Sequence, residues 1–362
     1  MKRLLAFVFG LAALAFPAGA FASPGGAVYT LSNGSAGNRV IVFDRGAGGG
    51  LHSVHSFATG GKGTGANLGS QGALALSPDG SRVYAVNAAS NSLSVFRASG
   101  TWLTRKQVIG SGGDTPISVV ARAGRVYVLN GGTTPSVVGF RVTGSGLSRI
   151  HGAWRALGAG DSGPAQVGIN PAGNVLVVSN KASSTIDTFR VHADGSLSGA
   201  ISHPSVGGTP FGFAFTRSGV LVVSDASVPP TSGATSYTVT SAGGLTPQSG
   251  AVENHQQAAC WVATTPDSRF AYTANAGSGT LSGYRVARNG SIALLDGNGE
   301  TANAGAGSHP LDESITPDGR FLYVLADGFG QIEAWRIAAD GSLHHVGNAG
   351  SLPAGTVGLE AR

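Results

Sequence analysis

The chain has 362 residues, with 23 lysines and arginines against 18 aspartates and glutamates, a formal net charge of +5, and only 11% charged residues in all. A charge this thin and scattered excludes the basic stripe of a nucleic-acid-binding surface. A single cysteine, Cys260, excludes an intrachain disulfide framework, and 59 glycines without a collagen period point to many tight turns between short strands.

Residues 1–22 open with Lys2 and Arg3, continue as an apolar run, and end in small residues at Ala20 and Ala22. This is the pattern of a signal peptide cut before Ser23, which predicts a secreted or periplasmic protein. The apolar core, about 13 residues broken by Pro17, is short for a bilayer span of about 20. No membrane span is expected after cleavage. Residues 23–362 then read as one domain, because no linker-like change of composition interrupts them.

From residue 27 onward one phrase recurs: AVYTLSN (27–33), RVYAVN (82–87), RVYVLN (125–130), NVLVVSN (174–180), GVLVVSD (219–225), RFAYTAN (269–275) and RFLYVLAD (320–327). The spacing of about 43 to 55 residues is that of four-stranded propeller blades. Each phrase is followed by a second alternating run, such as NSLSVFR (91–97) or STIDTFR (184–190). A third strand comes after a DG or NG turn, as in DGSLSG (194–199) and NGSIALL (289–295). A preceding strand ends in a turn of the SPDG type, as in QGALALSPDG (71–80) and HPLDESITPDG (309–319). The prediction is all-β, a seven-bladed β-propeller. The tail LPAGTVGLEAR (352–362) looks like an innermost strand without its blade, and residues 27–57 like a blade without its innermost strand. The C-terminal strand is therefore expected to complete the N-terminal blade and close the ring.

In a propeller, the connections entering each innermost strand and those leaving the second strand share one rim around the channel, the default mouth for a ligand. That rim is expected to collect Gln166, Lys181, Asp225, His255, Trp261, His309 and Asp312, together with a row of asparagines: Asn87, Asn130, Asn180 and Asn275. The asparagines have a plain explanation, since Asn tolerates a left-handed turn. Lys181 and Asp225 depart from the repeated pattern. Glu313 stands where the other copies carry Leu74, Val119, Val167, Phe213 and Val262, and so points between blades. Two readings follow for Asp312 and Glu313. One is an acid–base pair with His309 nearby; the other is an interblade latch. Trp261 reads either as the floor of a binding pocket or as a plug, and Cys260 as a buried, inert thiol. His344 and His345 are adjacent on a strand and face opposite ways, so no metal site is expected, and no loop reads as a cofactor cradle.

Aligned on GPAQVGINPAGNVLVVSN, TPFGFAF, AACWVATTPDSRFAYTANAGSGTLSGYRV and PLDESITPDGRFLYVL, the chain resembles the lactonase-like seven-bladed propeller family of 6-phosphogluconolactonases and carboxymuconate-lactonizing enzymes, and above all its secreted bacterial branch. The resemblance spans nearly all of residues 23–362. It implies a lactonase-like hydrolase or cycloisomerase acting on a small polar or lactone-type ligand, without a cofactor. The family's Gly-Pro-Arg-His stretch corresponds to Gly163, Pro164, Ala165 and Gln166, so its two basic residues are missing here. The resemblance then leaves catalytic roles to Asp312, Glu313 and His309, and ligand contacts to Gln166, Lys181, Asp225, His255 and Trp261. The alternative is a non-catalytic propeller that binds a protein or cell-surface partner through the rim. A monomer is expected in either case.

Overall fold

Each second strand is apolar along almost its whole length, so it is stable only with packing on both faces. Val175–Asn180, Val220–Asp225, Phe270–Asn275 and Phe321–Ala326 are buried at every position. The computed structural model describes residues 25–158, 162–227 and 232–362; the expected signal peptide, 1–22, lies outside them. The burial is met by seven antiparallel sheets arranged as blades around a central channel. From blade 1 to blade 7 the innermost strands are Val357–Ala361, Leu74–Leu76, Pro116–Arg122, Pro164–Ile169, Pro210–Phe215, Ala259–Thr264 and Pro310–Ile315.

Blade 1 is closed as expected. Val357–Ala361 pairs antiparallel with Gly26–Leu31, with Val28 opposite Ala361. Ala27 and Arg362 also exchange backbone bonds of 3.1 and 2.9 Å. The outer strand of blade 6 is irregular. It is split into Ile292–Leu294 and Ala302–Asn303, both paired to Thr280–Val286.

Neighbouring blades are tied by a repeated device. Tyr29, Tyr127, Tyr272 and Tyr323, all in second strands, donate their hydroxyls to the turn carbonyls of Gly100, Gly195, Gly341 and Gly49 on the following blade, at 2.7–3.1 Å. Burying a phenol is tolerated when its hydroxyl finds such an acceptor. The SPDG-type turns need a left-handed residue at their last position; Gly80, Gly173 and Gly319 supply it at φ 68°, 72° and 72°.

The asparagines that end the second strands do something other than occupy left-handed turns. Among the residues that end the seven copies of the phrase only Asn33 has a positive φ, 50°. Asn87, Asn180 and Asn275 are buried and donate to the third strand of their own blade: to Ser94 at 2.8 Å, Asp187 at 3.0 Å and Ser282 at 2.9 Å. Buried amides must find partners, and the third strand offers the nearest ones. In blade 7 the second strand ends at Ala326, and Asp327 begins a short 3-10 turn.

Candidate functional site

The connection from blade 1 into blade 2, residues 59–73, is drawn across the channel at the expected rim. Asn33 anchors its middle, donating to Thr64 and Ala66 and accepting from the Thr64 amide. Its end meets blades 4 and 6. The Gln71 amide donates to Ala165 O of blade 4 at 3.1 Å. The Gln71 side chain donates to Val262 O at 2.8 Å and accepts from Val262 N at 3.1 Å in blade 6. Trp261 donates its indole N–H to Ser70 O at 3.1 Å and is only 3% exposed. Lys181 donates to Gly69 O, with its ammonium 4.9 Å from the centre of the Phe211 ring, which in turn packs 5.0 Å from Trp261. Burial holds the Lys181 pKa below its usual range. Trp261 and Lys181 therefore work together in a plug.

Gln166 and Asp312 lie just beneath it, and both are engaged. Gln166 donates to Phe213 O at 3.0 Å and accepts from Phe213 N at 2.6 Å, joining blades 4 and 5. Asp312 accepts the amides of Gly72 at 3.1 Å and Gly358 at 3.0 Å, joining blade 7 to blades 2 and 1. Those amides favour its charged form, but burial outweighs them and pushes its pKa up to about 6. Glu313 is 5% exposed, and neither of its carboxyl oxygens completes a hydrogen bond of ordinary geometry. Burial holds its pKa well above the usual range, Asp312 adds to the shift, and the Ala263 amide offsets only part of it.

The remaining expected residues stand apart. His309 is about half exposed and faces Asp327 at 4.0 Å, away from the Asp312 carboxylate bonded to Gly72 and Gly358. His255 is exposed on a backbone of φ 58°. Asp225 is buried at the end of its strand, accepts from Thr235 at 2.6 Å, and is pushed up to about 7 by desolvation. The Cys260 thiol is pushed up to about 12 by burial, too high for thiolate chemistry near neutral pH. Among the described residues, no cluster of three metal-ligating side chains is present.

Below the plug the channel widens into a cavity of 530 Å³, bounded by the opposite turns, those that join each innermost strand to the second. Gln166, Asp312 and Glu313 are among its lining residues, and so are Ser314, Arg122 and Glu360. Glu360 is not among the residues expected at the site. Its signal was available: it stands in the closing strand, the one innermost strand read only for its role in closure. Its side chain is half-buried and lines the cavity, and desolvation pushes its pKa up to about 8 despite a bond from the Leu76 amide. Arg122 is held at the cavity wall by two bonds to Pro171 O. Arg217 lines the same end. A carboxyl that titrates near 8, a fixed guanidinium and room for a small molecule together suit acid–base chemistry on a polar ligand.

Comparison with known proteins bears on fold and family. The model of the family described as lactonase, 7-bladed beta-propeller matches residues 149–227 and 222–356. No curated protein matches the chain. Among solved structures, a candidate 6-phosphogluconolactonase of Bacteroides fragilis is 18% identical with a TM-score of 0.70, covering 96% of this chain and 100% of its own. A second such protein, of Bacteroides uniformis, is 16% identical with a TM-score of 0.74 over 93% of this chain and 99% of its own. A periplasmic gluconolactonase of Pseudomonas aeruginosa is 15% identical with a TM-score of 0.71 over 92% and 99%. At these identities the likeness is one of fold.

Proposed function

As this chain belongs to the seven-bladed lactonase β-propeller family, we propose that it is an exported enzyme that admits a small, polar, lactone-type ligand to its central channel and opens the ring by hydrolysis. The observation that carries this reading is Glu360, a carboxyl titrating near 8 on the wall of a 530 Å³ cavity that also holds Arg122. In its ionised form Glu360 takes a proton from a water molecule as the water adds to the ring carbonyl. The ring C–O bond then breaks, the alkoxide takes the proton back from Glu360, and the new carboxylic acid releases its proton to solvent as the carboxylate that Arg122 receives. Gln166 and Asp312 serve by holding the channel wall in place, and Glu313 lies buried between blades 6 and 7, near the Ala263 amide. Export is supported by the signal-peptide pattern of residues 1–22.

The test is a panel of γ- and δ-lactones offered to the purified protein lacking residues 1–22. Hydrolysis of at least one member is expected, with a rate that rises with pH through about 8 as Glu360 ionises. A flat panel, or a rate without that limb, removes the basis for the reading. A second reading, non-catalytic binding of an extracellular partner, is favoured by one observation: Gln166, Asp312, Lys181 and Trp261 all spend their polar groups on backbone. Under it the whole panel stays untouched.

A further inference from the structure

The groove between the outer parts of blades 6 and 7 departs from the repeat in three ways. First, the outer strand of blade 6 is interrupted at residues 295–301, and the interruption leans on blade 5. Gln256 at the end of blade 5 donates to Asn298 O at 3.0 Å, and Gly299 sits so close to Asn254 O that a Cβ there would lie 1.7 Å from it. The returning leg, residues 300–305, faces blade 7 and forms one wall of a groove of 720 Å³. Second, Ala326 stands where the second strands of blades 2, 3, 4 and 6 end in asparagine. The polar group that this asparagine would meet on the third strand, Glu333, is 5% exposed, and its one hydrogen bond among the described residues is a 3.3 Å contact from Gln331. Third, Trp335 is 5% exposed, lines the same groove, and has an indole N–H without an acceptor.

An unpaired buried donor and a nearly unpaired buried acceptor each cost stability, and here both belong to residues that line one groove. A hydroxyl answers both in a single group, accepting from the N–H and donating to the carboxyl. An ammonium ion offers no acceptor for the indole, and an anion meets two carboxylates, Glu300 and Glu333, with no lysine or arginine among the described residues lining the groove. Phe329, 47% exposed, and His345, edge-on to Trp335 with ring centroids 4.8 Å apart, add aromatic groups at the rim. Asn303 and Asn348 add amides able both to donate and to accept. We propose that this groove is a binding site for a neutral carbohydrate, with vicinal hydroxyls held by Glu333, Trp335 and the flanking amides, and a sugar ring laid against Phe329.

The site is separate from the channel and independent of the lactone reading. The test is calorimetric titration of the full mature chain with maltotetraose, cellotetraose, xylotetraose and chitotetraose, followed in parallel by tryptophan fluorescence. Saturable binding of at least one oligosaccharide is expected, weakened at least tenfold by Glu333→Gln and several-fold by Phe329→Ala. Phe329 is exposed, so that second variant keeps its fold and its lactone turnover, and it decides the matter if Glu333→Gln unfolds. Absence of binding across the panel, binding of choline in place of sugars, or binding that neither variant weakens would each overturn the proposal.

Discussion

The two ends of the central channel are framed by the same seven innermost strands, yet one is laced shut and the other holds a cavity. At the rim of the entering connections, the polar side chains lie close to the backbone of neighbouring blades and bond to it. Gln71, Gln166 and Asp312 each bond to another blade, and Trp261 and Lys181 reach the segment 69–71. At the other end Glu360 and Arg122 lie where the strands run into turns, and space remains between them. The contrast teaches that polar residues converging on a propeller axis are as apt to be mortar as chemistry. What separates the two is whether their hydrogen-bonding capacity is already spent.

The sharpest way to break this contrast is to remove the plug. Trp261→Ala deletes a buried aromatic that both packs on Phe211 and bonds Ser70. We expect a loss of about 3–5 kcal/mol in chemical denaturation, and a variant as stable as the parent would show that the rim is not a structural lock. Asp312→Asn is milder. The amide presents N–H to one of two glycine amides that now donate to carboxylate, for an expected cost of about 1–3 kcal/mol, read as a lower denaturation midpoint. An unchanged midpoint would make Asp312 something other than a latch.

A third effect is on pH dependence. Asp312, Asp225 and Glu360 titrate near 6, 7 and 8 in the folded protein, all above the ordinary carboxyl range near 4. Between those limits the folded state holds more protons than the unfolded chain, so stability is greatest in mild acid and falls as pH rises from about 4 to about 8. A Tm on the order of 5 °C lower at pH 9 than at pH 5 is expected, with a shallower slope in Asp225→Asn. A Tm that rises over this range would mean that these carboxyls are better solvated than the fold suggests.

Much of the architecture was legible in the chain. Strand alternation, DG and NG turns and a repeated phrase specify blades locally, and the spare strand at the end dictated closure. The split outer strand of blade 6 was not legible, because NGSIALL reads as an ordinary strand until residues 295–301 lean on blade 5. The site was harder. Sequence position places Gln166, Lys181, Asp312 and Trp261 at one rim, and they do gather there. It does not say that the segment 69–71 crosses the channel and takes up the polar groups of Trp261 and Lys181, or that Gln166 and Asp312 spend theirs on Phe213, Gly72 and Gly358, since that depends on contacts between residues up to 240 positions apart. Glu360 escaped notice for a related reason: only closure of the ring puts the C-terminal strand beside Leu76 and Asp312.

The most direct test of the account compares Glu360→Gln with Asp312→Asn in lactone turnover per folded molecule. If the open end of the channel is the reacting end, Glu360→Gln loses turnover by at least a hundredfold at an unchanged Tm, while Asp312→Asn keeps turnover and loses Tm. The reverse pattern, with turnover lost in Asp312→Asn and kept in Glu360→Gln, would contradict the account and return the chemistry to the rim.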